Sequence, residues 1–360
     1  MRLFGIFPNL QCFTKFRAMK NLVFVAVLGM AALLFSCNSG GKYVIEGTDE
    51  SLENGQWMFL MEGAGEYGVL DSARIENSAF RIETDDCGCG LGLLYMGTSS
   101  TANDLWQMSD VIFIEPGKVT AVYDADYEMF IAHGTPLNDL FVRLASGDMG
   151  EYEDKADIVR GNLNLLGLTV METMMVDSSK PEMEALMALF PESLKEHPLY
   201  LEIKETLDAA KADVGMPYWD IEGVDVQGNA IRLSDVVERD GVRYVLLDMW
   251  ASWCLPCREE IPHLVSQYAR FKERGFEIYG MSFDANRESW RNAVENFGMS
   301  WTNVVTECPD GPRSSTVWAE YGMIGVPWNY LIDASTGEII AKNLHGDDLV
   351  AELESLFGMD

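Results

Sequence analysis

Two cysteines with two residues between them, Cys254-Leu255-Pro256-Cys257, stand where a strand hands over to a helix. Val245 to Trp250 is an apolar run interrupted by Asp248 and reads as a buried strand. Ala251-Ser252-Trp253 turn the chain. Ile261, Leu264, Val265 and Tyr268 then recur on one face of a helix, with Arg258, Glu259 and Gln267 off it. Cys254 therefore falls at a helix N-terminus, where unpaired amides and the helix dipole favour a thiolate over a thiol. A thiolate is the attacking species in disulfide exchange. Cys257, one turn further in, is close enough to close a disulfide and is expected to be the more protected of the two. This geometry assigns Cys254 as nucleophile and Cys257 as resolving thiol. Pro256 suits the first helical turn, where a missing N–H costs nothing.

The other cysteines are Cys12, Cys37, Cys87, Cys89 and Cys308. Seven in 360 residues is too sparse for a disulfide-stapled scaffold. A C-x-x-C can be half of a zinc site, but zinc needs four ligands at workable spacing. The remaining candidates are the scattered cysteines and His133, His197, His263 and His345, none of them paired on a helix. No metal and no cofactor is expected. Cys87-Gly88-Cys89 could be a second redox pair, since a C-x-C disulfide is strained and reducible. Nothing nearby supplies a helix N-terminus or a base, so a structural or incidental pair is the preferred reading. Cys308, beside Pro309, reads as an unpaired loop thiol able to enter a mixed disulfide.

Asn21 to Phe35 is a 15-residue apolar run behind Arg17 and Lys20. It is short for a membrane span and has the form of a secretory signal. It ends in Leu34-Phe35-Ser36-Cys37, which resembles a bacterial lipobox. That resemblance implies lipidation of Cys37 after cleavage, with residues 1–36 as signal peptide and 37–41 as a flexible tether. It implies a lipoprotein anchored to a membrane in the cell envelope, facing the periplasm, in an oxidising compartment. Met19 is a better start for such a signal than Met1. The formal charge is −31; residues 1–36 hold four bases and no acids, so the remainder carries 22 basic and 57 acidic residues, a net −35. A chain this acidic repels phosphate backbones, which excludes general nucleic-acid binding.

Residues 42–135 read as an antiparallel β domain. Its expected strands include Tyr43-Val44-Ile45, Trp57 to Met61, Val69-Leu70, Ala79 to Ile82, Leu91 to Met96, Val111 to Ile114 and Val119 to Tyr123. The pattern GQWMFL…VLDSARIENSAFRIE…IFIEPGKVTAVYD resembles a β-rich domain of unknown function found ahead of thioredoxin modules in Gram-negative lipoproteins. Its implied role is spacing or protein contact. Residues 136–212 read as a helical connector, with Leu199, Ile203 and Leu207 at helical spacing. Met171, Met174 and Met175 are expected in a helical core rather than on a metal. Val214-Gly215-Met216-Pro217 then opens the last domain, 213–360.

The string WASWCLPCREEIPHL resembles thioredoxin-like reductases, most closely the TlpA/ResA group of membrane-tethered extracytoplasmic proteins. The resemblance covers about residues 213–360 and implies a thioredoxin fold, a mixed central sheet flanked by helices. Pro262 matches the proline that kinks this helix. Asp248 matches the buried carboxylate behind the resolving cysteine, where a raised pKa suits proton transfer. Glu260 matches a glutamate that tunes the thiols in the ResA-like group. Tyr321-Gly322-Met323-Ile324-Gly325-Val326-Pro327 resembles the cis-proline loop. Pro327 would be cis and Val326 would offer main-chain hydrogen bonds to a substrate strand. Trp253, Pro256, Val326 and Pro327 are thus the implied substrate contacts. Trp328 departs from the family pattern and either lines that groove or packs into the core.

The implied activity is protein thiol–disulfide exchange, with reduction of extracytoplasmic proteins as its direction and cytochrome c biogenesis or antioxidant repair as its setting. The implied partners are protein dithiols or disulfides and a membrane protein that recycles the pair. A disulfide oxidase or isomerase is one alternative. Another is a lipid-anchored binding or scaffold protein with a redox-sensing or inactive thioredoxin fold. A peroxiredoxin shares the fold, but its single peroxidatic cysteine follows a Thr-rich loop, unlike WASWCLPC.

Overall fold

A computed structural model describes residues 42–64, 68–84, 90–102 and 104–358. The signal segment, the tether with Cys37, and Cys12, Cys87 and Cys89 lie outside these residues. The described residues divide into two compact units. One runs to Met171 and includes Phe190–Tyr200; the other holds Glu172–Leu189 and the chain from Leu201 onward.

The first unit opens with β1 (Tyr43–Thr48), β2 (Trp57–Glu62), β3 (Val69–Arg74), β4 (Ala79–Thr84), β5 (Gly90–Gly97), β6 (Trp106–Gln107), β7 (Ile112–Ile114), β8 (Gly117–Asp124) and β9 (Met129–His133). They form two sheets, ordered β4-β1-β8-β9 and β3-β2-β5-β6, with β7 also on β5. Every pairing is antiparallel except β1 with β8. Those two strands are separated by most of the domain, which leaves room for the crossover a parallel pair needs. Tyr43, Ile45, Met58, Leu60, Phe80, Ile82, Leu94, Ile112, Val119 and Phe130 fill the core. Alternation along β1 follows from one buried and one wetter face. Gly47 is required there: a Cβ would lie 2.7 Å from the Phe80 ring and 2.9 Å from the Ala121 carbonyl oxygen. The sequence reading does not anticipate β6 or β9, which are short and flanked by polar loops.

Between residues 136 and 209 lie α1 (Pro136–Ala145), α2 (Lys155–Gly161), α3 (Leu165–Met174), α4 (Lys180–Met187) and α5 (Pro198–Ala209). Leu199, Ile203, Leu207, Met171, Met174 and Met175 are buried apolar residues, as helical packing expects.

The second unit continues with β10 (Glu222–Asp225), β11 (Ala230–Arg232), α6 (Ser234–Val237), β12 (Tyr244–Trp250), α7 (Leu255–Phe271), β13 (Phe276–Ser282), α8 (Arg287–Phe297), β14 (Thr302–Val305), α9 (Thr316–Glu320), β15 (Trp328–Asp333), β16 (Glu338–Lys342) and α10 (Gly346–Phe357). Its seven strands run β11-β10-β14-β13-β12-β15-β16. β12 pairs parallel with β13, and β13 with β14, while β15, β16, β10 and β11 add antiparallel edges. This is the expected mixed sheet flanked by helices. β12 is interior, so its side chains are buried almost throughout.

A buried ion pair ties residues 175–180 to this sheet. Lys342 Nζ lies 3.2 Å from Asp213 Oδ1, with the side chains 5% and 8% exposed. It also donates to the Ser178 carbonyl at 2.5 Å and to that of Met175 at 3.3 Å. Asp213 in turn accepts the Lys180 backbone N–H at 2.7 Å. Lys342→Ala strands the Asp213 carboxylate in a dry site and is expected to cost about 3–5 kcal/mol. Urea unfolding followed by tryptophan fluorescence measures it; a loss below about 1 kcal/mol refutes a dry, interdependent pair.

Candidate active site

β12 ends at Trp250 and α7 begins at Leu255, so Cys254 is the N-cap of α7. Its Sγ accepts the Cys257 backbone N–H at 3.2 Å. The sulfur thereby satisfies one of the orphan donors of the helix end and takes its positive electrostatic potential. Cys254 and Cys257 are joined as a disulfide, with Cα atoms 5.3 Å apart. Both residues are 2% exposed. The greater protection expected for Cys257 is therefore not a property of the oxidised state. The exposed neighbours are Trp253 (54%) and Leu255 (61%), with Pro256 also at the surface. Pro262 lies inside α7, which buries Ile261 and Leu264 against the sheet core.

The Val326–Pro327 peptide bond is cis. The Val326 carbonyl oxygen lies 3.6 Å from Cys254 Sγ, so this main-chain acceptor faces the Cys254 side of the disulfide. Val326 is buried and Pro327 half-buried. Trp328, the departure from the family pattern, starts β15 and is buried in the sheet core. It does not line a surface groove: the strand begins at once, and its residues are buried on both faces through Ile332.

Asp248 sits in the middle of β12, opposite Gly280 of β13 on one side and Asn329 of β15 on the other. It is 4% exposed and its Oδ2 has no hydrogen-bond partner among the described residues. Desolvation, with a smaller push from the Glu260 charge, raises its pKa to about 7. Glu260, half-buried on α7, accepts the Gly346 backbone N–H at 2.9 Å, at the start of α10. The structure thus gathers Cys254, Cys257, Val326 and Pro327 at the disulfide, and sets Asp248 and Glu260 in one electrostatic neighbourhood.

One residue of the loop escapes sequence reasoning. Asp284, between β13 and α8, is 3% exposed and holds the turn before Cys254. It accepts the Ser252 N–H at 2.8 Å, the Ser252 hydroxyl at 2.6 Å and the Ser282 hydroxyl at 2.7 Å. Its position just past β13, the parallel neighbour of β12, is the available signal. Cys308 is a free, buried thiol whose pKa burial pushes up, so it is poorly suited to attack.

A carboxyl whose pKa is raised on folding favours the protonated native state. Its contribution is fully present below the unfolded value of about 3.9 and is lost as pH rises through about 7. Asp248→Asn removes that loss. The variant is expected to gain up to about 4 kcal/mol over the parent at pH 8 and nothing near pH 4. Equal differences at both pH values, measured by chemical denaturation, contradict the buried, proton-holding carboxyl.

Residues 214–341 match the AhpC/TSA family, and residues 43–141 match a domain of unknown function, DUF4369. Thiol-disulfide oxidoreductase ResA of Bacillus anthracis is 25% identical over 147 residues, covering 41% of this chain and 78% of that one. ResA of Bacillus subtilis is 31% identical over 109 residues, covering 30% and 55%. Among solved structures, the thioredoxin domain of a thiol-disulfide oxidoreductase from Bacteroides vulgatus is 35% identical. That match covers 40% of this chain and 98% of the other, with a TM-score of 0.36. With its disulfide at the head of α7, the C-terminal domain is a thioredoxin-fold member of the AhpC/TSA family, akin to the ResA-like thiol-disulfide oxidoreductases, and it is preceded by a DUF4369 domain.

Proposed function

We propose that this protein performs dithiol–disulfide exchange on protein substrates outside the cytoplasm, in the direction of reduction. The observation that carries the reading is the Cys254–Cys257 disulfide at the N-terminus of α7, beside the Val326 carbonyl. In the reduced protein the amides of α7 stabilise a Cys254 thiolate. That thiolate attacks a substrate disulfide, and one substrate cysteine leaves as a thiolate. Cys257 then gives its proton to Asp248 and attacks Cys254 Sγ. The second substrate thiolate departs and the disulfide seen here is restored. Two electrons pass from the protein to the substrate.

Exposed Trp253 and Leu255 offer an apolar rim to the arriving chain, and the Val326 main chain offers it hydrogen bonds. In this reading Cys37 carries the lipid that anchors the protein in the cell envelope. A membrane partner returns electrons to the pair. Damaged secreted proteins and apocytochrome c whose thiols have been oxidised to a disulfide are the substrates that this setting supplies, and the DUF4369 domain acts as spacer or contact surface.

Two measurements test the reading. Cys257→Ser is expected to accumulate mixed disulfides with other proteins on non-reducing gels, while Cys254→Ser accumulates none. The opposite pattern reverses the roles. The potential of the pair, titrated against glutathione, is expected near the about −270 mV of thioredoxin. A value near about −120 mV, that of a strong oxidant, replaces reduction with disulfide insertion.

A further inference from the structure

Asp248, the group that takes the Cys257 proton in this reading, is buried and its Oδ2 is unpaired among the described residues. Its charged neighbour is Glu260. Glu260 is in turn bonded to the first residue of α10, through the Gly346 N–H at 2.9 Å. The residue before that glycine is His345, the N-cap of α10, whose side chain makes no cap bond. Its Nδ1 is buried and has no partner among the described residues.

The backbone on both sides of this histidine is fixed. Gly346 is held by Glu260. Leu344 is held by Asn329, which donates Nδ2–H to the Leu344 carbonyl at 2.8 Å and accepts the Leu344 N–H at 3.0 Å. Asn329 is the residue opposite Asp248 in the β12–β15 register and is 1% exposed. The two clamps on His345 thus belong to the strand neighbour of Asp248 and to the carboxylate whose charge acts on Asp248. An unpaired buried imidazole nitrogen is costly, and nothing in the cap geometry requires a histidine.

We propose that His345 is a positioning residue of the redox centre: clamped between Leu344 and Gly346, its imidazole sets the charge balance around Glu260 and thereby the readiness of Asp248 to accept the Cys257 proton. The proposal rests on the exchange reading above. The charges acting on His345 are those of Glu260 on α7 and Asp348 on α10; the charge acting on Asp248 is that of Glu260. Burial holds the imidazole below its ordinary pKa while both carboxylates oppose that shift. When His345 is protonated, its charge offsets Glu260 and Asp248 ionises more readily. When it is neutral, the Glu260 charge is uncompensated and Asp248 keeps its proton.

The test isolates the resolving step. The reduced full chain is mixed with dithiobis(nitrobenzoate). Cys254 attacks, releasing one nitrothiobenzoate and leaving a mixed disulfide. Cys257 then loses its proton to Asp248, attacks Cys254 Sγ and releases the second nitrothiobenzoate. The dye gains the two electrons that the dithiol loses. The rate of the second phase is followed by stopped flow from pH 5 to pH 9.

The parent profile is expected to span two ionisations, and His345→Gln to reduce it to one. His345→Arg, with a permanent charge, is expected to lower the midpoint by on the order of half to one pH unit. Placed on Glu260→Gln, the glutamine change is expected to leave the profile unaltered. Parent-like midpoint and slope in His345→Gln overturn the proposal, and so does an equal response with Glu260 replaced. If the arginine variant does not fold, the glutamine variant decides. Absence of any second release from the parent protein overturns the exchange reading itself.

Discussion

The site depends on how abruptly the chain leaves the sheet. β12 is buried through Trp250 and α7 starts at Leu255, so one residue must cap the helix, and that residue is Cys254. A serine or aspartate in this place would cap through oxygen. Here sulfur receives the Cys257 N–H, and the helix end that needs a partner becomes the field that stabilises a thiolate. Asp284 makes the turn possible by taking both the Ser252 N–H and its hydroxyl. Without that acceptor the turn would leave half-buried donors unpaired. The same hydrogen-bond requirements that end the strand also place the reactive atom.

Behind this junction the fold accepts an unfavourable group. A carboxyl inside a sheet, with one oxygen unpaired among the described residues, weakens the domain above neutral pH. Thiol exchange needs a proton acceptor that is poised near neutrality and shielded from solvent. The apolar side chains surrounding β12 supply the shielding, and a neighbouring glutamate supplies a further upward push. If Asp248 takes the proposed proton, stability and chemistry pull in opposite directions there, as they do where a functional site departs from optimal packing.

The redox pair and its helix were legible in the sequence because each rests on local pattern. An apolar run, a turn, C-x-x-C and a helical stripe fit within one stretch of chain. The core helix around Leu199, Ile203 and Leu207 and most of the N-terminal strands were legible for the same reason. What failed to show was non-local. The parallel pairing of β1 with β8 joins distant segments. Asp284 acts on a loop 32 residues away. Asn329 works through Leu344, and Glu260 through Gly346, across the sheet and between helices. Trp328 looked ambiguous because its place depends on where β15 begins. Equal burial of the cysteines reflects the disulfide state, which residue types do not encode.

The same physics recurs at two helix ends. The N-terminus of α7 meets the sulfur of Cys254, and the N-terminus of α10 meets the carboxylate of Glu260. Each helix end gives one of its unpaired N–H groups to a side-chain acceptor. The two effects are not independent, since α7 carries both partners and places Glu260 one turn beyond Cys257. The Glu260 charge makes a second negative charge near it harder to form and adds to the rise of the Asp248 pKa. In the proposed mechanism, thiolate formation at Cys254 is thus promoted locally, while proton uptake at Asp248 is tied to α10 through Glu260 and Gly346. Residues 344–346, far from the C-x-x-C in sequence, join the sheet that holds Asp248 to the helix that holds the cysteines, which is why the proposal counts them with the redox centre.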